Sequence, residues 1–132
     1  MLIKLSVSSN KKNDFIEITE IIQKLIKENN FNSGIITLFI PHTTAGITIN
    51  ENADPDVKKD MINFFNDLIP KDYNFSHIEG NSDGHIKSTL FNQSLSLIVE
   101  NKELILGTWQ GIYFCEFDGP RNRKVYIKFI EG

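Results

Sequence analysis

The stretch SLSLIVENKELILGTWQGIYFCEFDGPRNRKVYIKFI, residues 94–130, decides the fold class of this chain. It contains four apolar runs separated by short turn-forming segments: Ser94–Val99, Leu104–Leu106, Trp109–Phe117 and Arg123–Ile130. Strands that follow one another through short turns pair antiparallel, because a tight turn cannot connect parallel strands. This part of the chain therefore predicts an antiparallel sheet.

Four further strands are predicted before this stretch. Leu2–Ser8 alternates apolar and polar residues, as a half-buried strand does, and Phe15–Ile18 is a second short strand. Ile35–Ile40 is almost continuously apolar, which is typical of a strand buried on both faces. Ile47–Ile49 follows the turn-forming Thr-Thr-Ala-Gly sequence and completes the set.

Two segments carry apolar residues at helical spacing. The first has Thr19 as its N-cap and ends at about Asn29, with apolar positions at Ile18, Ile22, Leu25 and Ile26. The second begins at Asp54-Pro55, where Asp caps the helix and Pro takes its first position, and Pro70 ends it. Its apolar face consists of Val57, Met61, Phe64, Phe65 and Leu68. The stretch Lys71–Gly84 is predicted to be a long ordered loop, a feature that in compact domains is more often functional than idle.

These elements predict an α+β fold: a largely antiparallel, β-sandwich-like sheet with two helices, in a single domain spanning residues 1–132. Strands bracket the helices without the regular strand–helix alternation of a doubly wound sheet. The length of 132 residues and the hydrophobic fraction of 40% are ordinary for one globular domain.

The charge balance and the cysteine content restrict the function classes. Fourteen basic and seventeen acidic side chains give a net charge of −3, which argues against nucleic-acid binding, because phosphate-backbone contact needs a basic surface. The single cysteine, Cys115, cannot form an intrachain disulfide and lies in an apolar run, so we expect a buried, unreactive thiol. No leader and no apolar run of about 20 residues is present. We therefore expect a cytoplasmic protein without a membrane partner.

The three histidines, His42, His77 and His85, all lie in polar segments marked by Gly, Asn or Thr. Neutral imidazole is the commonest metal ligand in proteins, and three imidazoles with an open fourth position form a catalytic zinc site. We therefore consider a three-histidine metal site, with Thr43 and Thr44 beside His42 as candidate substrate-binding hydroxyls. The alternative is that the three are scattered surface histidines.

Four carboxylates, at Glu51, Asp54, Asp56 and Asp60, lie around the start of the second helix. Asp54 caps this helix, and Asp56 lies in its first turn, where the helix dipole favours a negative charge. Asp60 falls at the margin of the apolar face, so we expect it to be half-buried and to have a specific partner. For both Asp60 and Glu51, a structural ion pair and a role in a functional site stay open.

The apolar run Trp109–Phe117 contains two polar residues, Gln110 and Glu116, on one face. A carboxylate inside such a strand must be paired or lie beside a cavity, because an isolated buried charge is too costly. Arg121 is the expected partner of Glu116. Arg121 and Arg123 also suggest an anion site at this turn, because guanidinium groups bind phosphate and carboxylate in a bidentate manner. The alternative is that both arginines only pair with Glu116 and Asp118.

Several motifs, taken together, resemble the YjbQ-like family of small bacterial and archaeal proteins. The matching stretches cover essentially the whole chain. They are Pro41-His42-Thr43-Thr44-Ala45, Asn50-Glu51-Asn52-Ala53-Asp54-Pro55-Asp56-Val57, Asp60, Tyr73 followed by His77, Asn81 followed by His85 and Leu90, Leu104-Ile105-Leu106-Gly107-Thr108-Trp109-Gln110 and Glu116-Phe117-Asp118-Gly119-Pro120-Arg121. One small departure is Ser82 and Gly84, where the family usually has Ala.

The resemblance implies a compact β-sandwich-like fold with helices, assembled as a homotrimer. It implies that His42, His77 and His85 bind a divalent metal near a subunit interface, with zinc as the first candidate. Its other recurring polar positions match Glu51, Asp60, Glu116, Gln110 and Arg121. We assign the three carboxylates to acid–base or orienting roles and Arg121, Gln110, Thr43 and Thr44 to substrate binding.

The family is labelled a secondary thiamine-phosphate synthase, after a weak activity that joins a pyrimidine diphosphate to a thiazole phosphate. Three imidazoles suit zinc, whereas displacement of pyrophosphate is usually assisted by Mg²⁺ held by carboxylates and phosphates. We therefore predict a metal-dependent enzyme acting on a small phosphorylated metabolite, with the labelled reaction as a side activity. The alternatives are a non-catalytic trimeric module that binds a metal or an anion, and histidines that only stabilise the structure.

Overall fold

Eight strands and three helices make up the chain, and the computed structural model describes all of residues 1–132. In chain order they are β1 (Leu2–Ser8), β2 (Asp14–Glu17), α1 (Thr19–Glu28), β3 (Gly34–Phe39), β4 (Ala45–Glu51), α2 (Pro55–Leu68), α3 (Ser82–Leu90), β5 (Ser94–Glu100), β6 (Glu103–Leu104), β7 (Gln110–Glu116) and β8 (Asn122–Glu131). The predicted α+β class is confirmed, with one helix more than expected.

The strands form two sheets in which every pairing is antiparallel, as residues 94–130 predict. The larger sheet has the order β1-β8-β3-β5-β6, and the smaller sheet has the order β2-β7-β4. A cluster of 16 buried apolar residues lies between the sheets and takes in α1 through Ile22 and Ile26. The two sheets and α1 therefore share one apolar core.

The central strand of the smaller sheet, β7, is buried on both faces. Its Ile112 and Phe114 belong to the main core, and Tyr113 and Cys115 face the other way into a second cluster with Phe15 and Phe117. Side chains of α2 cover this second cluster. Burial raises the pKa of the Cys115 thiol well above its usual value, which confirms the expected buried thiol.

The prediction that residues 35–40 are buried on both faces is wrong. Ile36, Leu38 and Ile40 are fully buried, but Ile35 and Phe39 are each 45% exposed. The reason is that the larger sheet is covered on one face only, so its middle strand β3 presents alternate side chains to the outside.

The two predicted helices form, with differences at their ends. Asp54 caps α2 as predicted, since its Oδ1 accepts the Asp56 N–H at 2.9 Å. Thr19 is the first helical residue of α1 and not its cap, because its hydroxyl oxygen accepts the Ile112 N–H of β7 at 2.8 Å. No helix of the structure is both long and apolar enough to cross a membrane.

The expectation of a loop up to Gly84 is wrong at its end, because Ser82–Leu90 is the helix α3. The buried residues of α3 are Ser82, Asp83, Gly84, Lys87 and Ser88, and its apolar Ile86 and Leu90 are exposed. The hydrophobic periodicity that reveals a helix in a sequence is therefore absent from its buried side. The departure from the family pattern at Ser82 and Gly84 lies in the first turn of this helix, with both residues buried.

Candidate functional site

The three histidines, remote in sequence, line a single cavity. His42 lies between β3 and β4, His77 lies between α2 and α3, and His85 is on α3 itself. The cavity has a volume of about 480 Å³ and no hydrophobic lining residue; we call it the polar cavity. Its lining residues are Pro41, His42, Thr43, Thr44, His77, Glu79, Asn81, His85, Asp118, Arg121 and Arg123.

His77 and His85 lie close together at one side of the polar cavity. Their ring centroids are 5.4 Å apart, and the rings are nearly perpendicular, at 88°. The Nδ1 atom of His77 is 3.1 Å from the Ser82 hydroxyl, and its Nε2 atom is 3.5 Å from Oε1 of Glu79. These contacts orient the His77 ring from both of its nitrogens.

His42 is held by a strand of the larger sheet. Its Nε2 atom accepts the backbone N–H of Lys124, on β8, at 2.9 Å. Burial and the nearby positive charge of Arg123 lower the pKa of His42, so its imidazole is neutral at neutral pH. With Nε2 accepting a hydrogen bond, the ring proton is on Nδ1.

The donor chemistry of the three histidines fits a divalent ion such as zinc. Two imidazoles on one tetrahedral zinc, with Zn–N bonds of about 2.0–2.1 Å, place their ring centroids about 5 Å apart, close to the His77–His85 spacing. No group of three or more His, Cys, Asp or Glu side chains is arranged to hold a metal ion in the structure. In this arrangement the Nε2 lone pair of His42 is used by Lys124, and both nitrogens of His77 contact other residues, Ser82 and Glu79.

A buried ion pair lies at the wall of the polar cavity, with Arg123 in the lining and Glu116 behind it. Nε of Arg123 donates to Oε1 of Glu116 at 2.9 Å, and Nη2 donates to Oε2. Nη2 also donates to the Thr44 hydroxyl at 2.8 Å, while Ser9 and the Asp118 N–H donate to Glu116. Burial alone would raise the pKa of Glu116, but these hydrogen bonds outweigh it and hold the pKa below its usual value. Glu116 is therefore a carboxylate with both oxygens in use.

The expected pairing of Arg121 with Glu116 is wrong, because Arg121 pairs with Asp118. Nε of Arg121 donates to the Asp118 carbonyl and Nη2 to its Oδ2, each at 2.8 Å. Arg123, near the start of β8 in the larger sheet, reaches across to Glu116, at the end of β7 in the smaller sheet, and also binds Thr44. The turn between them is tight: a Cβ on Gly119 would lie 2.1 Å from the Lys11 carbonyl oxygen. Only glycine fits there, and the turn places Arg121 at the rim of the cavity.

Several hydrogen-bonding groups of the polar cavity have no partner within the chain. A guanidinium has five N–H donors, and Arg121, 53% exposed at its side chain, uses two of them. Oδ1 of Asn81 is buried and unpartnered, although its Nδ2 donates to Asp118 at 2.8 Å. Thr43 also lines the cavity and is exposed, whereas Thr44 is buried and bound to Arg123. The cavity therefore offers the unused N–H donors of Arg121 and the exposed Thr43 to a polar ligand.

Three of the predicted site residues do not lie at the polar cavity. Glu51 pairs with Gln110 at one end of β4, whereas Ala45 pairs with Glu116 at the other end, about 20 Å away at ~3.3 Å per residue. Asp60, on α2, is exposed and has no ion pair or hydrogen bond, so the expected half-buried position is wrong. It lies on the solvent side of α2 because the residues facing the second cluster are Met61 and Ile62.

A second buried polar cluster beneath α3 was not predicted from the sequence. Asp83 accepts from Lys12 at 2.8 Å and lies 3.8 Å from Lys87, whose Nζ donates to Asn66 at 2.7 Å and to Asn13 at 3.2 Å. Asp83 and Lys87 are almost fully buried. Their i, i+4 spacing is that of a helical ion pair and was the available signal. The cluster anchors the side of α3 opposite His85.

Comparisons with known proteins agree with this architecture. The profile of the family described as UPF0047 protein YjbQ-like matches residues 3–132. The UPF0047 protein MJ1081 of Methanocaldococcus jannaschii is 54% identical over 130 residues, covering 98% of this chain and 94% of the relative. The UPF0047 protein YugU of Bacillus subtilis is 51% identical over 131 residues, covering 98% and 99%.

Solved structures show the same fold. A crystal structure of a YjbQ/UPF0047 protein from Clostridium acetobutylicum superposes with a TM-score of 0.93 at 50% identity, over 97% of this chain and 99% of that one. A hypothetical protein from Aeropyrum pernix superposes with the same TM-score of 0.93 at 27% identity, over 100% and 99%.

Proposed function

The chain belongs to the UPF0047 YjbQ-like family, and from this premise we propose that it is a metal-dependent enzyme acting on a small phosphorylated metabolite at the polar cavity. One observation carries the proposal. Three histidines from separate segments and the only two arginines of the chain line one cavity that has no hydrophobic lining residue.

The phosphate group would bind at Arg121. This guanidinium has unused N–H donors at the rim of the cavity, and arginine matches the geometry of phosphate oxygens. The N-terminal end of α3, beginning at Ser82, lies at the same cavity, and its dipole favours a negative charge. Asp118 limits the positive charge, so the site suits a phosphate monoester better than a polyanion.

His77 and His85 would hold the metal, and His42 would join them after releasing the Lys124 amide. Three imidazole nitrogens favour zinc over Mg²⁺ or Ca²⁺, which prefer oxygen ligands. When bound, such an ion polarises a phosphoryl oxygen or lowers the pKa of a bound water.

Glu116 would act as a positioning residue and not as an acid or base. Its two oxygens are saturated by Arg123, Ser9 and backbone N–H groups, and a carboxylate of lowered pKa is a poor proton acceptor. Its role would be to fix Arg123 and, through it, Thr44 at the wall of the cavity. Glu51, Asp60 and Gln110 would take part only if another subunit brought them to this cavity.

Thiamine-phosphate synthesis stays a prediction within this proposal. The polar cavity supports the broader substrate class, a phosphorylated small molecule, because its groups recognise phosphate and not a particular ring. The reaction of a pyrimidine diphosphate with a thiazole phosphate should be assayed together with the reactions of other phosphorylated metabolites.

A homotrimer is the assembly that we propose. The outer face of the larger sheet carries a row of three isoleucines directly opposite one another on adjacent strands: Ile98, Ile35 and Ile130. Each is about half exposed, and a second copy of the chain would bury them. Ile35→Glu should convert the assembly to monomers in analytical ultracentrifugation. An unchanged mass would contradict this interface.

A non-catalytic module that binds a metal or an anion is the second candidate. It is favoured by the pairing of both carboxylates next to the arginines, which leaves neither Glu116 nor Asp118 free as a base. Turnover separates the two candidates, because the module would bind phosphate esters without forming a product under any metal.

The test uses His85→Ala and Arg121→Ala, with Lys24→Ala as the control at an exposed cation on α1. We expect His85→Ala to lose bound zinc in elemental analysis together with turnover of phosphorylated metabolites. Arg121→Ala should keep the zinc and weaken binding of inorganic phosphate. Unchanged zinc content in His85→Ala would refute the metal site, and unchanged phosphate binding in Arg121→Ala would refute the phosphate site.

A further inference from the structure

Two further cavities continue from the polar cavity along α3. The first, which we call the bridging cavity, has a volume of about 400 Å³ and is lined by Phe75, Ser76, His77, Ser82, His85 and Ile86. It shares His77 and His85 with the polar cavity. The second, the apolar cavity, has a volume of about 210 Å³ and shares Phe75 and Ile86 with the bridging cavity. The three cavities therefore adjoin in one row.

The lining changes from polar to apolar along this row. The apolar cavity is lined by Leu68, Ile69, Pro70, Tyr73, Phe75 and Ile86, and five of these six residues are hydrophobic. The Tyr73 and Phe75 rings lie 5.1 Å apart, so the wall presents two aromatic rings. An apolar cavity of about 150 Å³ can hold a benzene ring, so this one has room for a ring with a substituent.

Exposure of these apolar side chains to water is unfavourable in free energy, and a ligand that covered them would remove this cost. Tyr73 is 67% exposed, Leu68 57% and Ile86 41%. Leu68 is the last residue of α2, and Ile86 lies within α3, so the two residues flank the segment that carries His77. The apolar side chains thus border the same segment that supplies the histidine, which ties this patch to the polar cavity and not to a distant surface.

We propose that the substrate is a phosphate monoester with an aromatic group, whose phosphate binds at Arg121 and whose ring binds in the apolar cavity. The connecting atoms pass His77 and His85 in the bridging cavity. This inference rests on the proposed function, because it takes the polar cavity as the phosphate site. It adds that the apolar cavity determines the specificity for the organic part of the substrate.

The test is isothermal titration calorimetry with methyl, benzyl, 2-phenylethyl and 3-phenylpropyl phosphate. These esters share the phosphate and differ in the presence and reach of the ring. We expect at least one aromatic ester to bind about tenfold more tightly than methyl phosphate, since small apolar groups in a pocket contribute factors of this size. Leu68→Ala/Ile86→Ala should remove most of this preference and leave methyl phosphate binding unchanged.

Leu90→Ala is the matched control. Leu90 is 58% exposed, as Leu68 is at 57%, but it lines none of the three cavities. It should keep the full preference for the aromatic ester. Equal loss of preference in Leu90→Ala would overturn the assignment of the ring to the apolar cavity.

The outcomes separate this inference from the proposed function. If methyl phosphate binds and no aromatic ester binds more tightly, the inference fails and the phosphate site stands. If no ester binds at all, both fail. If Leu68→Ala/Ile86→Ala changes the oligomeric state in sedimentation velocity while the aromatic preference persists, the patch is a subunit contact and the inference is overturned.

Discussion

The side chains buried beneath α1 and those buried beneath α3 differ in chemistry. Helix α1 buries Ile22 and Ile26 in the apolar core, whereas α3 buries Asp83, Lys87 and Ser88. Apolar burial stabilises a helix without directional contacts, and a buried polar cluster fixes its position through specific hydrogen bonds at a large desolvation cost. The polar interior is found beneath the helix that carries His85, which suggests that α3 is held for position more than for stability.

The largest effect is expected at the buried ion pair between Arg123 and Glu116. Arg123→Ala would leave Glu116 buried without its partner, and breaking a buried pair in this way costs about 3–5 kcal/mol. Urea unfolding at pH 7 measures this loss. Glu116→Leu/Arg123→Met is the control: removing both charges should cost much less. A loss below about 1 kcal/mol in Arg123→Ala would contradict the role of the pair.

The same substitution on both helices compares a buried isoleucine of α1 with an exposed isoleucine of α3. Ile22→Ala, on α1, should lower the free energy of unfolding by about 2–5 kcal/mol, because Ile22 is 1% exposed in the core. Ile86→Ala, on α3, should lower it by less than about 0.5 kcal/mol, because Ile86 is 41% exposed. Thermal unfolding of both variants checks the ranking. Equal losses would mean that the exposed side of α3 is covered in the assembled protein.

A smaller effect is expected for Lys87, within the polar cluster itself. Lys87→Met keeps the side-chain length but leaves the oxygens of Asn13 and Asn66 without a donor, which costs about 1–3 kcal/mol. Asp83 keeps its ion pair with Lys12, so the loss should stay below that of Arg123→Ala. Lys59→Met is the control at an exposed position. A stabilised Lys87→Met would show that the buried charge is retained for function alone.

The pH dependence of stability should follow Glu116. Its folded pKa lies below the unfolded value of about 4.3, so its contribution is complete above that value and is lost as pH falls through the folded pKa. One such group gives a slope of at most about 1.4 kcal/mol per pH unit. Urea midpoints between pH 6 and pH 3 should therefore fall less steeply in Glu116→Gln than in the natural chain. Parallel curves would contradict the lowered pKa.

The sequence predicted the elements that bury apolar residues well and the buried polar groups poorly, for a physical reason. Hydrophobic periodicity defines α1, α2 and the strands, and Asp54-Pro55 marks the start of α2, so these elements could be predicted. The helix α3 has no such periodicity on its buried side, so the sequence predicts its first residues, up to Gly84, as part of a loop. The convergence of His42, His77 and His85 was expected as one alternative, because all three lie in polar turn-like segments. The partner of Glu116 depended on strand geometry, which the spacing of two nearby arginines did not resolve.

The smallest effect is expected at a surface pair that has the spacing of the buried one. Lys24 and Glu28 on α1 are four residues apart with charged atoms 3.6 Å from each other, as Asp83 and Lys87 on α3 are at 3.8 Å. The surface pair is screened by water, and its Lys-before-Glu order is the weaker one on a helix. Glu28→Gln should therefore change the free energy of unfolding by less than about 0.5 kcal/mol, measured by urea unfolding beside Lys87→Met. A larger loss in Lys87→Met would then reflect burial together with the hydrogen bonds that Lys87 donates to Asn13 and Asn66.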